Sequence, residues 1–222
     1  MREHRLSVTR SARYYTLGEP GESVREVWVV LHGYGQLAGR FLPHFKPLDD
    51  GTRLIVAPEG LSRFYLTESP AERRVGATWM TKEDRLAEIE DYVRFLDAVH
   101  DDVFRSVNQA RVKVVALGFS QGTATACRWA AMGAARIDRL IVWGGEVPPD
   151  LDLSRDPAAQ RIRALRLSLV YGARDEFFTP KVVAATEERL REHGIPYELM
   201  PFDGGHEIDA AALKKVALTA DD

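Results

Sequence analysis

The chain holds a single cysteine, Cys127, so an internal disulfide is excluded and no cysteine pair exists to ligate a metal. Apolar runs are short, and none reaches the roughly 18 residues that would suggest a membrane span. The N-terminus, MREHRLSVTRSARYY, is charged and interrupted, without the apolar core of a signal peptide. The expectation is a cytoplasmic protein with no stable membrane insertion. An excess of one charge is also missing: 30 Lys and Arg face 33 Asp and Glu, for a formal net charge of -3. Nucleic acid is therefore not an expected partner. There is no acidic tail beyond Asp221 and Asp222, and no repeat, low-complexity tract or linker. The six histidines are scattered and form no H-E-x-x-H pattern, so the sequence nominates no metal ligands.

What remains is an alternation of short apolar runs with helix-like segments over 222 residues, enough for one domain with a real core. Residues 5–10 and 13–17 read as two modest N-terminal strands. Near-continuous apolar runs follow at 27–31, 53–57, 112–117, 139–143, 167–171 and 197–202. Uninterrupted Val, Ile and Leu suit parallel strands covered on both faces. Residues 82–104 form an amphipathic helix with Leu86, Ile89, Val93, Leu96 and Val103 on one stripe, and Thr81 with Asp84 resembles a capping box. Further helices are expected at 121–132, at 180–193 (Thr179 as N-cap, Pro180 at the first position, Gly194 past the end) and at 208–219. The pattern predicts a single α/β domain over residues 1–222 with a mostly parallel sheet.

In such sheets ligands bind beyond the carboxyl ends of the strands. The loops there read HGYGQ, PEG, GFSQG, GGE, GARDEF and DGGHE. GFSQG, residues 118–122, is a G-x-S-x-G turn between a strand and a helix, the context in which a nucleophilic serine is held clear of a sheet. Ser120 is the candidate nucleophile. Cys127, on the following helix, reads as a small buried hydrophobe.

A serine hydroxyl needs a base, and the base needs a group that fixes its tautomer. Two histidines follow Ser120. His193 ends a helix, where a cation near the dipole is explanation enough. His206 sits after the last strand between glycines and an acidic residue, and is the candidate base. Asp175 is the candidate orienter, with Glu176 as the alternative; Asp203 reads as a turn former. The backbone N–H groups of Tyr34 and Gln121 are the candidate oxyanion donors, and His32 reads as a brace for the loop.

The glycines of HGYGQLAG could instead cradle a dinucleotide phosphate, with Glu59 taking a ribose. Their spacing, G-x-G-x-x-x-G, is one residue too long for that fingerprint. It would also leave GFSQG, Asp175 and His206 without a role.

LHGYG, GFSQG, YGARDEFFTP and GGHEI together resemble the small serine esterases of the α/β-hydrolase superfamily. More narrowly, the chain resembles the phospholipase/carboxylesterase family that includes acyl-protein thioesterases. The resemblance runs from about Val27 to Leu218. It implies an α/β-hydrolase fold with a mostly parallel eight-stranded sheet, helices on both faces, and no metal or organic cofactor. It implies the Ser120, Asp175, His206 triad and the Tyr34 and Gln121 oxyanion hole. Two departures stand out. Relatives often read HGLGD where this chain has Tyr34 and Gln36, and residues 60–80 are charged and aromatic in an individual way.

Phe64, Tyr65, Trp79 and Phe177, with Met80 and Phe178 nearby, are the candidate substrate pocket. Arg63, Arg73 and Arg74 read as a solvated face. Residues 147–164 are too short for a separate lid domain, so an open cleft is expected. The expected activity is hydrolysis of small-molecule esters, thioesters or lysophospholipids through an acyl-enzyme. Acyl transfer or perhydrolysis by the same triad, or a non-catalytic receptor on this scaffold, are the alternatives. A homodimer is left open.

Overall fold

The computed structural model describes residues 1–67, 73–154 and 157–219. Asp221, Asp222 and positions 68–72 of the individual stretch lie outside the described residues.

Among the described residues, nine strands form a large sheet and a small one. β1 (Tyr14–Leu17), β2 (Glu26–Leu31), β3 (Arg53–Pro58), β6 (Lys113–Phe119), β7 (Arg139–Trp143), β8 (Arg166–Gly172) and β9 (Tyr197–Phe202) make a seven-stranded sheet in the order β1-β3-β2-β6-β7-β8-β9. Only β1 runs antiparallel, against β3. β4 (Ser62–Tyr65) and β5 (Val75–Thr78) pair as a separate antiparallel ribbon.

The unbroken apolar runs follow from burial on two sides. Val27, Val29 and Leu31 of β2 face one core, shared with α2 (Arg85–Val103), α3 (Gln121–Met132) and α5 (Pro180–Glu192). Trp28 and Val30 face the other, shared with α1 (Ala38–Phe41), the 3-10 segment Leu42–Leu48 and α6 (Ala210–Leu218). Strand side chains alternate between faces, so a strand covered on both must be apolar throughout. The short α4 (Ala158–Arg163) adds Ile162 to the first core.

Among the described residues the large sheet has seven strands rather than the expected eight, and residues 5–10 form none. Leu6 and Val8 are 81% and 76% exposed. Two apolar side chains on one outer edge bury too little to offset the ordering of six residues. Arg5 instead pairs with Glu3 and with Asp84.

The start of α2 also differs from expectation. Asp84 precedes it at φ 45° and caps nothing with its side chain. Glu88 reaches back to accept from Thr81 N at 2.6 Å and from its hydroxyl at 3.2 Å. Leu86 lies off the apolar stripe and is exposed.

Cys127 is buried on α3, and burial pushes its thiol up to about 12. It is expected to ignore a disulfide reagent such as dithionitrobenzoate in the native protein and to react in full after urea unfolding. Stoichiometric reaction under native conditions would contradict that placement.

Candidate active site

β6 delivers Ser120 to its carboxyl end and α3 begins at the next residue. Ser120 adopts φ 53°, ψ -119°, a conformation few residues other than glycine tolerate. Two glycines permit this turn. A Cβ on Gly118 would stand 2.2 Å from Gly122 O, and a Cβ on Gly122 would stand 2.2 Å from Leu31 O of β2. The helix can therefore pack onto the sheet only without those side chains. Gly122→Ala is expected to cost about 2 to 3 kcal/mol of stability by urea unfolding. A change near zero would show that the contact is not tight.

The backbone at the elbow is tied down. Ser120 N donates to Trp143 O at 3.0 Å, and the Thr123 hydroxyl donates to Ser120 O at 2.6 Å. Among the described residues, no protein acceptor takes the N–H of Gln121, the first of α3, or that of Tyr34. The positive end of the α3 dipole reinforces such a site for developing negative charge.

The HGYGQ loop after β2 is braced from several directions. His32 is fully buried; its Nδ1 lies 2.8 Å from Gly33 O, and its Nε2 accepts from Gly60 N at 3.0 Å. These partners require the proton on Nδ1, and burial lowers the ring's pKa, so His32 is a neutral brace. Gly33 N donates to Gln36 Oε1 at 2.8 Å, and Gly35 N to Ala77 O of β5 at 2.9 Å. Gln36 thus closes the loop on itself, leaving the intervening Tyr34 N–H free.

His206 follows β9. Its Nδ1 lies 2.8 Å from Asp175 Oδ2, and its ring is flanked by Phe119 and Phe177 with centroids at 4.8 and 4.9 Å. The Trp143 indole donates to Glu207 O at 2.8 Å, pinning the loop beside it. Asp175 is 5% exposed, and its Oδ1 accepts from Phe177 N and Phe178 N at 2.8 and 2.9 Å. Burial disfavours its charge. The Phe178 N–H, the His206 ring and the Phe177 N–H outweigh that and hold the carboxyl below the usual carboxylate range. Glu176 is exposed, and Asp203 pairs with Arg174. His193 ends α5 with Nδ1 2.8 Å from Arg189 O, on its own helix.

Ser120, His206, Tyr34 and Phe177 line one cleft of about 690 Å³ at the carboxyl end of the sheet. Ser120 Oγ and His206 Nε2 face no hydrogen-bond partner among the described residues, and the bond between them is not formed in this structure. Such bonds often close only when substrate enters.

Three of the four expected pocket aromatics lie elsewhere than in that cleft. Trp79 is 1% exposed, donates to His32 O at 2.8 Å and packs on Tyr92, so it belongs to the core. Phe64 stacks beside Tyr34 at 5.1 Å, and Tyr65 is exposed under Arg73. Of the four, Phe177 alone lines the cleft, with Phe178 beside it. Arg63 and Arg13 both bind the buried Glu59, at 2.6 and 2.8 Å. That carboxylate is consumed within the protein and is closed to a ribose.

Sequence reasoning missed the ribbon of β4 and β5 and the clamp that joins it to the elbow. The Gln121 side chain donates to Met80 O and Thr78 Oγ1, both at 2.9 Å, and accepts from Trp79 N at 3.2 Å. It also missed Arg128, Glu146 and Asp150 in the cleft wall. The available signal was Arg128 itself, a lone charge in the Ala-rich run of α3.

The phospholipase/carboxylesterase family model matches residues 14–219. The chain belongs to that family. Membership carries esterase-type hydrolase chemistry to this chain. No curated protein sequence matches it. Among solved structures, acyl-protein thioesterase 2 of Zea mays is similar at 18% identity, covering 95% of this chain and 99% of its own, with a TM-score of 0.72. Esterase PE8 is 19% identical over 95% of this chain and 98% of its own, with a TM-score of 0.67. SOBER1 of Arabidopsis thaliana is 18% identical over 87% and 96%, with a TM-score of 0.66. At these identities the likeness establishes the α/β-hydrolase fold.

Proposed function

We propose that this family member is a carboxylesterase-type serine hydrolase working through an acyl-enzyme. Ser120 attacks the carbonyl carbon of an ester or thioester as His206 Nε2 takes its proton. The tetrahedral oxyanion is held by the N–H groups of Tyr34 and Gln121. The same proton passes to the leaving group, and water then repeats the sequence to release the acid. Asp175 keeps the second imidazole proton on Nδ1 and stabilises the imidazolium.

The observation that carries this reading is the Asp175–His206 hydrogen bond at 2.8 Å in the cleft that also contains the strained Ser120. An elbow conformation with two backbone donors unspent is a cost that acyl transfer chemistry would explain. The cleft's size and its lining by Phe119, Phe177 and Val182 favour small or soluble esters.

A fluorophosphonate probe is expected to label the protein once, at Ser120, as read by peptide mass spectrometry. Labelling should be slowed by p-nitrophenyl esters or acyl-thioesters that the enzyme turns over. No label at Ser120 in folded protein would refute the proposal.

A further inference from the structure

Residues 77–80, the end of β5 and the two residues after it, reach both sides of the proposed oxyanion hole. On one side β5 pairs with the loop that carries Tyr34. Gly35 N donates to Ala77 O at 2.9 Å, and Ala77 N donates to Gln36 O at 3.1 Å. The fit is tight, since a Cβ on Gly76 would stand 2.5 Å from Gly35 O. Two residues on from Ala77, the Trp79 indole donates to His32 O at 2.8 Å. On the other side, pairing with β4 stops at Thr78, and the Gln121 side chain takes up groups beyond it. Its Oε1 accepts from Trp79 N at 3.2 Å, and its Nε2 donates to Met80 O and Thr78 Oγ1, both at 2.9 Å. The buried Thr78 hydroxyl in turn lies 2.9 Å from Met80 O.

Two donors can hold one oxyanion only if each stands about 2.7–3.1 Å from it. Hydrogen bonds weaken steeply as they are misaligned, so the relative placement of the Tyr34 and Gln121 N–H groups matters. The pairing of β2 with β6 ends at Leu31 and Gly118, before either donor. Past that point both loops are tied to the end of β5. A primary amide suits this joint because it donates and accepts at once.

We propose that the Gln121 side chain is a positioning residue for hydrolysis: by gripping the end of β5 it fixes its own backbone N–H relative to that of Tyr34. The inference rests on the esterase reading above.

Gln121→Met keeps the backbone N–H and the side chain's length while deleting the amide's bonds. Rates are normalised to the sites that a fluorophosphonate labels at completion, so misfolded protein is not counted. The kcat per labelled site is expected to fall at least about tenfold, with KM within about threefold of the parent. A trifluoromethyl ketone forms an adduct with Ser120 that places an oxyanion in the hole. Its inhibition constant should rise by the factor that kcat/KM loses. The pH profile of kcat/KM should keep its shape, because the triad is untouched. Thr78→Val removes one partner of the amide and should lower kcat by at least about threefold, whereas Thr78→Ser keeps the hydroxyl and should recover to within about twofold of the parent. Should Gln121→Met fail to fold, this pair carries the test.

A smaller loss in Gln121→Met, a loss carried by KM, or one that leaves the inhibition constant unchanged would overturn the inference. So would a Thr78→Ser variant no better than Thr78→Val. Full labelling with unaltered rates sinks this inference alone, whereas a parent chain that takes no label sinks the esterase reading beneath it.

Discussion

Ser120→Ala is expected to lower ester turnover by about a millionfold and to abolish fluorophosphonate labelling. The loss should be near that of removing the whole triad, because His206 and Asp175 have nothing to activate once the hydroxyl is gone. What survives is the contribution of the free Tyr34 and Gln121 N–H groups and of simple binding. The variant should fold as well as the parent, since alanine suffers the same strain at φ 53° that serine does. Ser120→Gly makes the contrast sharper. It should be equally inactive, yet more stable by about 1 kcal/mol, because glycine occupies that region without penalty. Turnover of a purified Ser120→Ala preparation within a hundredfold of the parent would end the nucleophile assignment.

Asp175→Asn should cost about ten-thousandfold in kcat with little change in KM. The geometry dictates which way the amide sits. Its oxygen must take the place of Asp175 Oδ1, which accepts from two backbone N–H groups at 2.8 and 2.9 Å. The amide NH2 then faces His206 Nδ1, where the carboxylate oxygen stood at 2.8 Å. Two donors cannot share that contact, so Nδ1 must lose its proton and Nε2 must carry it. An imidazole protonated on Nε2 cannot accept from Ser120. The fold should survive, because the backbone contacts are kept. Glu176→Gln, by contrast, changes an exposed carboxylate and should leave kcat within about twofold, as expected of a surface substitution. Equal damage from both changes would mean that the wrong acid has been identified.

Much of this was legible in the chain because it follows from local chemistry. Parallel strands buried on both faces must be apolar, so the run at 139–143 marks β7 to the residue. The elbow declares itself because only glycine at 118 and 122 allows α3 to lie against β2. The chemistry-bearing residues sit in the loops where strands end, and the parallel sheet brings those ends to one edge.

Other features depended on distant partners. Residues 5–10 have strand-like alternation but no face to bury. Trp79 reads like a pocket aromatic until His32 O and Tyr92 claim it. Glu59 could serve a ribose until Arg13 and Arg63 close on it from other parts of the chain.

By itself, then, the sequence determined the fold class and the family and nominated the residues proposed for acyl transfer, since periodicity, glycine sterics and side-chain chemistry act over a few residues. Only the tertiary structure decided which carboxylate meets His206, which aromatics remain free for a ligand and what charge lines the end of the cleft. Burial and hydrogen-bond pairing are settled between segments that the chain keeps far apart.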